Sequence, residues 1–77
     1  MRRREYYSAV WDALTIMADF DAKICRGPEG EYQAFTCCPL GWECVTPFVD
    51  PDHYGVEDTD YFESAEDFVE HCMEAYE

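Results

Sequence analysis

No lysine or arginine occurs after residue 26 of this 77-residue chain. From Gly27 onward there are fourteen acids and no permanent positive charge to balance them, and the formal net charge of the whole is −13. Such a field repels phosphate backbones and anionic membranes and draws cationic partners inward. Direct nucleic-acid binding and membrane binding are therefore not expected. Solubility alone does not account for the imbalance, because a net charge of magnitude about 2–8 is enough for a small domain.

Other absences narrow the chemistry. No run of ~18 apolar residues is present to span a bilayer. No apolar stretch follows the basic start MRRREYYS, so no signal peptide is expected and a cytoplasmic location is. The five cysteines, Cys25, Cys37, Cys38, Cys44 and Cys72, are then expected to be reduced, half-buried small apolar residues. With His53 and His71 they offer soft ligands for zinc, but the C-x₂₋₄-C pairs of structural zinc sites are missing. Cys37 and Cys38 would also point to opposite faces of a strand. Asp50, Asp52, Glu57, Asp58 and Asp60 are hard ligands without the central Gly and terminal Glu of an EF-hand loop. No cofactor is expected. Nor is an enzyme: there is no phosphate-cradling glycine loop and no nucleophile elbow. His71 and Cys72 are neighbours on a helix and so do not face each other as a dyad.

What the chain does contain is enough apolar surface to fold. Hydrophobic residues make up 48% and aromatics 17%, far above the composition of disordered acidic tails. One α+β domain spanning residues 1–77 is expected. Glu5 to Phe20 reads as a helix at about 100° per residue. Tyr6, Val10, Ala13, Leu14 and Met17 lie on one side, widened by Trp11 and Ala18 one way and by Ile16 and Phe20 the other. A helix apolar over most of its circumference belongs in the centre of a fold.

Ala22–Arg26 and Glu31–Cys37 flank the turn cluster Gly27-Pro28-Glu29-Gly30 as a hairpin. Trp42–Thr46 alternates as a third strand and stops at Pro47. The short link Cys38-Pro39-Leu40-Gly41 predicts a second hairpin, and hence a three-stranded antiparallel meander. Val49–Asp60 reads as a long mobile loop, with Tyr54, Tyr61 and Phe62 either stapling it down or anchoring a partner. Ser64 is the expected N-cap of a last helix, with Asp67 in a capping-box-like position. The order is αβββα, with helices packed on a small sheet.

On that last helix, Ala65, Phe68, Val69, Cys72, Met73, Ala75 and Tyr76 form the apolar face. Glu63, Glu66, Asp67, Glu70, Glu74 and Glu77 fall within an arc of roughly 100° opposite. The pairs 63/66, 63/67, 66/70, 67/70, 70/74 and 74/77 are all of like charge and cost the isolated helix on the order of 1–3 kcal/mol. Glu74 and Glu77 also stand at the end where the helix dipole disfavours anions. A stable helix does not need this arrangement. Stripe residues three or four apart rise ~5–6 Å along the axis, the scale on which duplex phosphates recur. Arg2-Arg3-Arg4 would offset a nearby acidic surface such as Glu57–Asp60.

In size, in charge and in the αβββα pattern with acids on a loop and a helix, the chain resembles small acidic phage proteins that inhibit host defence. The nearest resemblance is to anti-CRISPR proteins that act as DNA mimics. The resemblance implies a cytoplasmic inhibitor that occupies the Lys/Arg surface with which a CRISPR effector holds target DNA. Glu57, Asp58, Asp60, Glu63, Glu66, Asp67, Glu70 and Glu74 would stand in for phosphates. The alternatives are an acidic inhibitor of another basic host protein (a restriction enzyme, toxin or DNA-binding regulator) and a small zinc-stabilised structural protein.

Overall fold

The computed structural model describes residues 3–17, 22–56 and 62–76. Its elements run α1 (Arg3–Thr15), β1 (Lys23–Arg26), β2 (Tyr32–Phe35), β3 (Glu43–Thr46) and α2 (Ala65–Tyr76), the αβββα order read from the sequence. No helix among the described residues is long and apolar enough to cross a membrane.

Helix α1 is central, as its wide apolar face predicts. One side, through Tyr6, meets the sheet: the Tyr6 ring stands edge-on to Tyr32 of β2, and its hydroxyl lies 2.8 Å from the Thr46 Oγ1 of β3. Another side meets α2 through Trp11 against Phe68 and Tyr7 against Tyr76. Tyr7, Ala9, Val10, Ala13 and Leu14 are all buried between these neighbours. Among the described residues only α1 packs on the strands; α2 packs on α1, correcting the expectation that both helices cover the sheet.

The first helix is also shorter than its apolar pattern. It ends at Thr15, whose hydroxyl donates back to the Trp11 carbonyl at 2.7 Å, a side-chain bond that competes with helix continuation. Ile16, read as apolar-face, is exposed, and residues 18–20 lie outside the described residues.

The β1–β2 hairpin forms as expected, with the Gly30 amide donating to the Gly27 carbonyl at 3.0 Å and Gly30 at φ 84°, a left-handed conformation that favours glycine. The sheet order, however, is β2-β1-β3. β3 pairs with β1 on the side away from β2, both pairings being antiparallel, so the meander is not formed. The segment 36–42 therefore does not close a hairpin. It runs back along the sheet to bring β3 to the far side of β1. A tight turn, with Trp42 N–H donating to Pro39 O at 3.0 Å and Gly41 at φ 90°, lets it reverse.

This crossover is pinned. Cys38 is disulfide-bonded to Cys25 in the middle of β1, with Cα atoms 5.9 Å apart, and Trp42 packs edge-on against Phe35. The expectation of five reduced cysteines is overturned for these two. Spacing alone did not reveal the pair, because the link places Cys38 over the sheet rather than within a strand. Closing a loop of this length is worth about 3 kcal/mol in the chain-entropy account. Ile24 belongs to the core shared with α1. Cys25, one residue on, points to the opposite face and is wholly buried there.

The long loop is likewise more ordered than expected up to Val56. Consecutive backbone bonds join His53 to Asp50, Tyr54 to Pro51, Gly55 to Asp52 and Val56 to Pro51, and the Asp50 carboxylate accepts from the Asp52 amide at 3.0 Å. Tyr54 and Val56 are buried in the core. Tyr54 is thus a staple rather than an exposed anchor. Phe62 packs on Phe68 and His71, while Tyr61 lies outside the described residues.

The disulfide is checked by titrating thiols in the denatured protein. Three are expected without reductant (Cys37, Cys44 and Cys72) and five after reduction; five in both conditions would remove the bond.

Candidate functional site: the acidic face of the last helix

α2 starts where its cap was expected. The Asp67 amide donates to Ser64 Oγ at 3.3 Å, and the Phe68 amide to the Ser64 carbonyl at 3.3 Å, satisfying donors that a helix N-terminus leaves unpaired. The inner edge is set by Phe68, Val69 and Cys72, all buried. Phe68 is ringed by Trp11, Tyr54 and Phe62 at centroid distances of 5.4, 6.2 and 5.5 Å. At the far end Tyr76 stacks on His53 and donates its hydroxyl to the His53 carbonyl at 2.7 Å. This tethers the helix C-terminus to the turns at 50–56.

With the inner edge committed to the core, the acids have one place to go. Glu63, Glu66, Asp67, Glu70 and Glu74 are all exposed. From Glu66 to Glu74 the row rises ~12 Å along the axis. Glu57, Asp58 and Asp60, expected to extend it, lie outside the described residues, as does Glu77.

One feature of the row escaped the sequence reading. Arg4 of α1 reaches it: Arg4 Nη2 lies 4.0 Å from Glu70 Oε1, with both side chains more than half exposed. Among the described residues the basic N-terminus is thus brought to the helix stripe at Glu70. An exposed pair of this kind contributes about 0–1 kcal/mol, enough to seat Arg4 beside Glu70 but not to neutralise four other acids.

A second acidic group was also missed. Glu5 and Asp12 of α1 and Glu29 and Glu31 of the β1–β2 turn line a cleft of about 440 Å³ with Ser8, Ala9 and Tyr32. Partial burial raises the Asp12 carboxyl above its usual range. These four acids come from two segments separated in sequence, and no spacing pattern announces their meeting.

The rival chemistries find little geometry. With Cys25 and Cys38 joined, no group of three His, Cys, Asp or Glu side chains among the described residues is placed to hold a metal ion. Cys37 and Cys44 are exposed and Cys72 is buried. His71 faces outward against Phe62, so His71 and Cys72 form no dyad. No protein family, curated protein or solved structure matches the chain.

Burial at the inner edge has a pH signature. It pushes the Cys72 thiol up to about 11 from an ordinary 9.0, and raises the Tyr54 phenol, by desolvation first and by its 3.2 Å hydrogen bond with Tyr6 second. Both groups are favoured neutral in the fold. Their stabilisation is therefore complete below the unfolded values and is lost as pH rises toward the folded ones. Between pH 9 and 10, where Cys72 acts before Tyr54, denaturant midpoints should fall, and Cys72→Ala should flatten that slope from a lower baseline. An unchanged slope in Cys72→Ala contradicts the assignment.

Proposed function

We propose that this chain is a DNA-mimic inhibitor: its α2 face presents carboxylates in place of phosphates to the basic surface with which a CRISPR effector holds target DNA. The observation that carries the reading is the exposed row Glu66, Asp67, Glu70 and Glu74 on a helix whose opposite edge buries Phe68, Val69 and Cys72, with Glu63 exposed just before its cap. Residues kept for folding would not all face solvent, and charges kept for solubility would mix signs, because like pairs at i,i+4 cost ~0.2–0.5 kcal/mol each. In this reading the protein binds no nucleic acid itself and performs no catalysis. It acts in the cytoplasm of a host cell by occupying the site before DNA does, and there the Cys25–Cys38 bond has to withstand a reducing environment.

The partner groove would need lysines or arginines spaced to meet carboxylates a helical turn apart. Arg4 beside Glu70 is then a placeholder for a partner cation, held by an exposed pair weak enough to be displaced.

The test is the variant Glu66→Gln, Asp67→Asn, Glu70→Gln, Glu74→Gln. It removes the like-charge pairs 66/70, 67/70 and 70/74, and with them the favourable dipole terms at 66 and 67. Stability should therefore stay within ~1 kcal/mol of the parent. Inhibition of CRISPR interference, scored by plasmid loss in cells expressing the chain, should collapse. Parent-strength inhibition by the variant would sink the reading for this helix. Affinity of the parent for the effector should also weaken steeply as the Debye length falls from ~10 Å at 0.1 M salt to ~3 Å at 1 M.

A further inference from the structure

Cys25 stands in the middle of the central strand with two other cysteines beside it. It is bonded to Cys38 of the crossover. Its directly opposite residue on β3 is Cys44, a free and exposed thiol. Opposite residues of antiparallel strands share a face and hold their Cα atoms about 4.5–5.5 Å apart, inside the ~4.4–6.8 Å that a disulfide bridges. The register between β1 and β3 shifts between Ile24 and Cys25, where Val45 is the extra residue. A bulge of this kind re-aims the neighbouring side chains.

We propose that Cys25, Cys38 and Cys44 form a disulfide-exchange site in which the Cys25–Cys38 bond interconverts with a Cys25–Cys44 bond. The Cys44 thiolate attacks Cys25 Sγ and forms the new S–S bond as the bond to Cys38 breaks. The electron pair leaves on Cys38 Sγ, which takes up the proton that Cys44 gave up. One disulfide and three free thiols exist before and after, so no external oxidant or reductant is consumed. Cys25 is wholly buried, so a thiol already on its own face reaches it more readily than one arriving from solvent, and access is one determinant of exchange rate.

The consequence is local. In the exchanged state the crossover 36–42 loses its covalent tie to β1, and Cys38 becomes a free thiol next in sequence to the exposed Cys37. Ile24 and the core shared with α1 and α2 lie on the other face, so the acidic row of α2 keeps its support. The site is independent of the function proposed for that row.

The experiment uses the full-length oxidised protein held at pH 8 without reductant, quenched with acid, alkylated and cleaved after glutamate. Cuts after Glu29, Glu31 and Glu43 separate Cys25, the Cys37/Cys38 pair and Cys44 onto different peptides for mass spectrometry. A Cys37→Ser background makes the assignment to Cys38 unique. Both linkages, Cys25–Cys38 and Cys25–Cys44, are expected, and Cys44→Ser should lose the second. Cys38→Ser, oxidised with glutathione disulfide, should form Cys25–Cys44 alone. Should that variant fail to fold, the parent digest decides by itself. Quantitative alkylation of Cys44 with Cys25–Cys38 as the only linkage, or no bond to Cys25 at all, overturns the proposal.

Discussion

The structure depends on the burial of one edge of α2 against α1. The first helix is covered on one side by three short strands, and its other side would face water if α2 did not close it. Phe68, at the meeting point of Trp11, Tyr54 and Phe62, makes that closure, with Val69 and Cys72 beside it. Fully burying a side chain of the Phe or Val class is worth about 1.5–3 kcal/mol, while the like-charge pairs 66/70, 67/70 and 70/74 cost roughly 0.6–1.5 kcal/mol in total before screening. The inner edge therefore outweighs the outer one. A helix can carry an unbalanced acidic face here because its placement is decided on the opposite side.

Much of this was legible in the sequence where local physics decides. The apolar circumference of α1, the Gly27–Gly30 turn, the Ser64 cap and the two edges of α2 follow from helical or strand periodicity and from capping chemistry. The turn and the cap appear in the structure, and the two helices bury the centres of their predicted apolar faces, Val10, Ala13 and Leu14 on α1 and Phe68, Val69 and Cys72 on α2. The candidate row was legible for the same reason, since residues three and four apart on a helix share a face whatever the fold. What escaped was non-local. Strand patterns say which segments are extended but not which edges pair, so Cys38–Gly41 looked like a hairpin link when it is the turn of a crossover. The Cys25–Cys38 bond, the Arg4–Glu70 pair and the cleft acids Glu5, Asp12, Glu29 and Glu31 each join segments that only the fold brings together. Ile16 was misread because the helix stops one residue earlier, and periodicity does not say where a helix ends.

The two ends of the molecule's chemistry are physically separate. Carboxylates gather on the solvent side of α2 and around the cleft beside α1, while Cys25, Cys38 and Cys44 gather on the face of the sheet opposite Ile24 and the core. The protein thus has one face where charge is concentrated and another where covalent bonding holds an otherwise short sheet together. Under the proposed function, the first face meets a basic partner, and the second only has to keep β1 in place beneath α1.

The central claim is that the acidic row takes the place of DNA, and competition tests it most directly. With a purified CRISPR effector bound to the chain, duplex target DNA is titrated in at fixed salt and the apparent affinity of the chain is measured. Mutually exclusive binding, with the apparent Kd for the chain rising in proportion to DNA concentration, is the predicted result. A ternary complex of effector, DNA and this chain, or an apparent Kd indifferent to DNA, would contradict it.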